Sequence, residues 1–194
     1  MVTEHTVEGD VCRAAISRLE QAGLDVWVFA GGEWLLRNEQ ATYIAREQLS
    51  IGMNWREVPD FSPYLARVHK MIGSSSDFIR CAAVAKEMTA APGDTAAGFR
   101  SQDYYVDVTH PRANKGEAAL TIAGRLGIEP KDKAAIGDMP NDLPMLRASG
   151  FSIATGNSAA EIKAAAQVTV ADNDHDGWAE AADRLLSLAG QADL

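Results

Sequence analysis

The stretch Ala134 to Leu146, AAIGDMPNDLPML, constrains this chain more than any other. Ala134, Ala135 and Ile136 read as a buried strand; Gly137, Asp138, Asn141 and Asp142 follow as a turn, and a helix opens at Leu143. A strand turning so tightly into a helix is the repeating step of an open α/β sheet, which places its ligand sites at the carboxyl ends of its strands. Two carboxylates and an amide at such a lip suit a hard divalent cation. Mg²⁺ prefers oxygen ligands, keeps several waters and takes only one or two protein carboxylates. Asn141 or Asp142 would equally serve as a plain N-cap for the following helix, so the turn alone leaves both readings open.

Composition narrows the partners. A net charge of -9 argues against a nucleic-acid or anionic-membrane surface, which needs clustered Lys and Arg. No apolar run approaches the roughly 18 residues of a membrane span, and MVTEHTVEGD lacks the basic and apolar regions of a signal peptide. Cys12 and Cys81 form no CxxC pair, and His5, His69, His110 and His175 form no metal-ligand spacing. These features predict a reduced, cytoplasmic protein.

Upstream of residue 110, helices and strands alternate without a cluster of chemically competent side chains. Residues 1–9 read as a frayed polar tail. Val11, Ala14, Ala15, Ile16, Leu19 and Ala22 recur at helical spacing after Asp10, and Gly23 stops them. LDVWVFA at 24–30 reads as a strand, 34–36 as a second, 38–49 as a helix stopped by Gly52, and 56–58 as an extended piece. ARVHKMI at 66–72 fits a strand, and Ser74 to Asp77 starts a helix reaching Met88. Residues 90–94 read as a turn, and 96–100 with 104–108 as a strand pair. Trp27, Phe29 and Trp34 suit either a pocket lining or, more commonly for strand aromatics, the core.

From Thr109 the grammar becomes helix, strand, helix with short loops, that of a parallel doubly wound sheet. Helices are expected at 116–126, 143–148, 159–166 and 178–189, and strands at 133–137, 151–154 and 167–170. Lys115 sits at the mouth of the first of these helices, where its charge opposes the helix dipole. An anion held jointly by the ammonium and the free backbone N–H groups would account for that placement; a solvated surface lysine is the alternative. Asp172, Asp174 and Asp176 approximate a calcium loop in spacing, but the loop lacks a ligating Glu and reads as a solvated turn.

Lys115-Gly116, GDMPND at 137–142, ATGNS at 154–158 and AAAQVTVADNDHDG before the last helix together resemble the C-terminal part of the haloacid dehalogenase (HAD) superfamily, in particular its Cof-like type IIB phosphatase branch. The resemblance implies an α/β fold with a HAD-like Rossmannoid core, represented by 110–194, and an inserted α/β cap domain at 1–109. It implies Mg²⁺-dependent hydrolysis of a small phosphorylated metabolite through an aspartyl-phosphate. On that basis Asp138 is expected to ligate the metal and Asp142 to hold a metal-bound water or orient the lysine. Lys115 is expected to neutralise the phosphate, with Asn141 near the phosphate and Asn114 and Asn157 at family positions near the site.

The pattern departs from the family at one point. The family's nucleophile lies in an Asp-x-Asp motif followed by Gly-Thr or Gly-Ser, and Leu24-Asp25-Val26 is the nearest start, with no second Asp. The family's strand-end Thr or Ser is also missing. The sequence therefore reads as starting after the first half of the core, and this chain alone is expected to be inactive. A non-catalytic relative that binds a metabolite, and a phosphomutase of the same superfamily, are the rival readings.

Overall fold

The computed structural model describes residues 3–89 and 95–192, so the turn expected at 90–94 lies outside the described residues. The chain divides into two compact units, Met1–Ala113 and Asn114–Leu194. The division falls at the far end of the short turn that follows Thr109.

The first unit is built on a six-stranded sheet. Its strands are β1 (Asp25–Ala30), β2 (Glu33–Leu36), β3 (Trp55–Glu57), β4 (Val68–Ser74), β5 (Ala97–Phe99) and β6 (Tyr105–Thr109). They lie in the order β3-β2-β1-β4-β6-β5, antiparallel except for the parallel pair β2 and β3. The unbroken apolar run of β1 is explained by cover on both faces. Val26, Val28 and Ala30 join one buried cluster with Cys12, Ile16 and Leu19 of α1 (Gly9–Gln21) and Cys81 and Val84 of α3 (Phe78–Thr89). Trp27 joins the opposite cluster with Trp34, Leu36, Ile72 and Tyr105, which Ile44 of α2 (Ile44–Ile51) helps to close. The strand aromatics Trp27 and Trp34 are thus core residues.

Three expectations need correction here. Residues 3–8 are not a frayed tail: Val7 is buried and its N–H bonds the Val68 carbonyl at 2.8 Å, while Glu4 pairs with Arg67 and His69. The helix expected from Asn38 starts only at Ile44, because Asn38 spends its side chain on Asp25 and on the N–H of Gln40, a turn geometry. The strand expected from Ala66 starts at Val68, since Ser62–Arg67 with its early proline forms a 3-10 turn.

The second unit carries a parallel sheet of three strands, β7 (Ala134–Gly137), β8 (Phe151–Ala154) and β9 (Val168–Thr169), in sequence order. Its helices are α4 (Lys115–Leu126), α5 (Leu143–Arg147), α6 (Ala160–Ala165) and α7 (Gly177–Ala192). Gly127, at φ 69°, ends α4 in the left-handed conformation that glycine adopts without steric cost. Ala135, Leu146, Ala154 and Ile162 pack together beneath α5 and α6; Ile153, Val170 and Ala181 pack beneath α7. The strands run parallel, so their C-terminal ends after Gly137, Ala154 and Thr169 share one edge of the sheet, the one where such sheets build sites. Among the described residues no helix is long and apolar enough to cross a membrane.

Candidate functional site

At the end of β7 the chain enters a 3-10 turn, Pro140–Asp142, and then α5. Asp142 is buried, and both of its carboxylate oxygens are engaged. Oδ1 accepts from the Lys115 ammonium, and Oδ2 accepts the backbone N–H groups of Asp138 at 2.9 Å and Met139 at 3.1 Å. Burial raises the pKa of this carboxyl, but the Lys115 hydrogen bond and the two backbone donors outweigh it and hold the group below the usual Asp value. Gly137 makes the arrangement possible: a Cβ there would lie 2.5 Å from Cβ of Asp142 and 2.9 Å from its Cγ.

Lys115 is the first residue of α4, half-exposed and paired with Asp142. The pair settles the electrostatic misfit of a lysine at a helix N-terminus, because a buried carboxylate faces it. Asn114 caps that helix, its side-chain oxygen accepting the N–H of Glu117 at 2.9 Å. Gly116 lets α4 approach α5 closely; a Cβ there would fall 2.6 Å from the Pro144 carbonyl oxygen.

Asp138 sits half-buried just past β7, with Oδ2 held by the Asn157 amide at 3.2 Å; among the described residues Oδ1 has no hydrogen-bond partner. Asn157 lies in the turn after β8 and also accepts the N–H of Asn173, at 3.2 Å, from the loop after β9. One exposed amide thereby ties the lips of all three strands. Asn141 lies in the 3-10 turn, and its buried side-chain oxygen has no partner among the described residues.

The structure thus brings Lys115, Asp138 and Asp142 to one place, with Asn114 and Asn141 at the flanking helix cap and turn. The link from Asp138 through Asn157 to Asn173 joins the acidic loop, expected as a solvated turn near the site mouth, to the site itself. In that loop the Asp172 carboxylate accepts the Asp174 N–H at 3.0 Å and contacts His175 Nδ1 at 2.6 Å. The His175 contact leads in lowering the Asp172 pKa. The Asp-x-Asp spacing, which makes such side-chain-to-backbone turns, was the available signal.

No group of three or more His, Cys, Asp or Glu that could hold a metal occurs among the described residues. A divalent ion at this lip would therefore rely on few ligands from this chain. One half-buried carboxylate with a spare oxygen fits Mg²⁺, which takes one or two carboxylates and completes its shell with water and phosphate oxygens.

Comparison with known proteins bears on the family and the fold. The family model for haloacid dehalogenase-like hydrolases matches residues 1–181. Phosphoglycolate phosphatase of Methanopyrus kandleri is 40% identical over 75 residues, 39% of this chain and 32% of that protein. A haloacid dehalogenase-like hydrolase from Bacteroides thetaiotaomicron superposes with TM-score 0.74 at 26% identity, covering 94% of this chain and 68% of that one. The HAD subclass IIB sugar phosphatase BT4131 shares the fold (TM-score 0.77, 21% identity, 94% and 68% coverage). The chain spans 16% to 39% of the length of the curated relatives it matches. On the match that runs from its first residue to within the last helix, the chain belongs to the haloacid dehalogenase-like hydrolase family.

Proposed function

We propose that this chain contributes the lysine and metal-binding half of an Mg²⁺-dependent phosphatase site acting on a small phosphorylated metabolite. One observation carries the reading: a single buried carboxylate, Asp142, grips the Lys115 ammonium with one oxygen and the backbone of Asp138 with the other. A positive charge and the turn that carries a metal-type carboxylate are thereby tied to one side chain at a strand lip. Phosphoryl transfer needs that combination, because its catalysis is mostly positioning and charge neutralisation.

In this reading Asp138 offers its spare oxygen to the metal, and Asn157 fixes its orientation. Lys115 and the first N–H groups of α4 hold the phosphate, with Asn114 setting the helix start. Asp142 acts in this reading as a positioning residue that orients the lysine, supported by the engagement of both its oxygens. The unpartnered oxygen of Asn141 is a group that bound ligand or its water shell would satisfy. Bound Mg²⁺ would supply Lewis-acid polarisation of a phosphoryl oxygen. The attacking carboxylate is assigned to none of these 194 residues. Asp174-His175-Asp176-Gly177 has the Asp-x-Asp-Gly letters, but Asn173–His175 is a 3-10 turn and Asp176 is left-handed, not a strand end. Unit Met1–Ala113 corresponds in this reading to a cap domain and Asn114–Leu194 to the core's C-terminal part. The phosphatase names of relatives support the reaction class, and the two buried free thiols, Cys12 and Cys81, suit a reducing cytoplasm.

The test is calorimetric titration of the chain with inorganic phosphate in the presence of Mg²⁺, alongside phosphate release from p-nitrophenyl phosphate. Mg²⁺-dependent phosphate binding that falls at least about tenfold in Lys115→Ala is expected, with no sustained release by this chain alone. Phosphate binding indifferent to both Mg²⁺ and Lys115 would sink the reading, and robust release would refute the missing nucleophile.

A further inference from the structure

A second concentration of polar groups lies in the first unit, apart from the phosphate reading and independent of it. A cleft of about 290 Å³ is lined by Arg46 and Glu47 of α2, Lys70 of β4, Ser101, Tyr104 and Tyr105. Two carboxylates are buried at or beside it, Glu47 (7% exposed) and Asp107 (3%). Carboxylates are almost never buried without a partner, since desolvating the charge costs several kcal/mol. Asp107 has its partners: the Lys70 ammonium at 3.4 Å and the Ser101 hydroxyl. Glu47 forms no ion pair among the described residues. Arg46 next to it is turned over the Tyr104 ring, 5.1 Å from the centroid.

Beside Glu47 the Tyr105 hydroxyl is buried and lines the cleft; its hydrogen-bonding contact is with the Glu47 carboxylate and is loose. Burial first, and then the Glu47 carboxylate, push the phenol's pKa well up, so it remains a neutral hydroxyl. The half-buried Tyr104 ring, stacked on Tyr43 with centroids 4.2 Å apart, gives the cleft an aromatic wall.

We propose that this cleft binds a small primary amine whose ammonium pairs with Glu47 and hydrogen-bonds the Tyr105 hydroxyl oxygen. An ammonium would give Glu47 the ion pair it does not make with the described residues and would donate to the Tyr105 hydroxyl oxygen. A neutral polyol would leave Glu47 without an ion pair. An anion would be repelled by Glu47, with Lys70 already committed to Asp107 and Arg46 turned over the Tyr104 ring. The cleft's volume lies at the lower end of ligand pockets, which start at about 300 Å³, and so suits an amino alcohol or amino sugar rather than a larger cation.

The experiment titrates the 194-residue chain with ethanolamine and with glucosamine. Ethylene glycol and glucose are the neutral counterparts. Binding is followed by calorimetry and by tryptophan fluorescence, because the Trp27 ring packs edge-on against Tyr105 with centroids 5.4 Å apart. Saturable binding of an amine with Kd of about 10 mM or below is expected, weakened at least tenfold in Glu47→Gln and several-fold in Tyr105→Phe. The second variant carries the test if the first fails to fold. Glucose binding as well as glucosamine, amine binding untouched by both substitutions, or no saturation by either amine up to about 50 mM would each overturn the proposal.

Discussion

The Lys115 ammonium donates to one carboxylate oxygen of Asp142 while the other oxygen of Asp142 closes on the backbone N–H groups that begin the Asp138 turn. Residues 27 positions apart in sequence are thus joined through one side chain. Asp142→Asn keeps the shape but replaces an acceptor-only group by one that must present a donor to Lys115 or to the two N–H groups. Because Asp142 is buried and Lys115 is half solvated, most of the loss comes from the backbone donors. The expected destabilisation is about 2 kcal/mol, read as a lower urea midpoint at unchanged m-value.

That same carboxyl fixes a pH dependence. Its folded-state pKa is below that of a free Asp side chain, so the unfolded chain takes up the proton first as pH falls. The contribution of the pair is therefore full above about pH 5 and declines as pH drops through 4 towards the folded pKa. In urea titrations the gap between the native chain and Asp142→Asn should be constant from pH 7 to pH 5 and narrow at pH 3. A gap that widened in acid would mean that Asp142 carries no stabilising charge.

Asp138 can be tested for metal without any turnover. Mg²⁺ that binds only the folded chain stabilises it by mass action, by about 1.4 kcal/mol at ten times its Kd. Thermal unfolding of the native chain should rise with Mg²⁺, that of Asp138→Asn should not, and Asn157→Ala should respond less, because it releases the Asp138 carboxylate from its 3.2 Å contact. An equal rise in all three would place the ion elsewhere.

How much of this was legible beforehand follows from the range of the interactions concerned. The strand, turn and helix around Asp138 were readable because each is coded locally: β7 by its apolar run, the turn by its Gly, Asn and Asp, α5 by Pro144 in its first turn. Lys115 stood out because its charge is misplaced for its position on a helix. What sequence could not show was its partner, since the contact with Asp142 depends on how α4 packs against α5. The same holds for Asn157, which the ATGNS motif marks but whose contacts with Asp138 and Asn173 are set by the register of three strands. In the first unit the helix start at Ile44 was misjudged because Asn38 makes a local side-chain turn that competes with helical hydrogen bonding. Val7 is hidden from sequence because its backbone bridge to Val68, with the Glu4 pairs to Arg67 and His69, anchors a segment whose composition reads as tail.

The packing of α4 on α5, which brings Lys115 to Asp142, is testable through two glycines of one helix. A Cβ on Gly116 would sit 2.6 Å from the Pro144 carbonyl oxygen and 2.7 Å from its carbon, backbone atoms that move only if α5 moves. A Cβ on Gly124 meets nothing within 4 Å. Gly116→Ala gains helix propensity but forces the two helices apart, with an expected net loss of about 1–3 kcal/mol. Gly124→Ala gains propensity at no steric cost and should stabilise by about 0.5–1 kcal/mol. If the close approach matters for the site, Gly116→Ala should also weaken the Lys115 contact, so adding Asp142→Asn to it should cost less than in the native chain. Full additivity of the two losses in urea unfolding would show that the helix contact and the Lys115–Asp142 pair are independent.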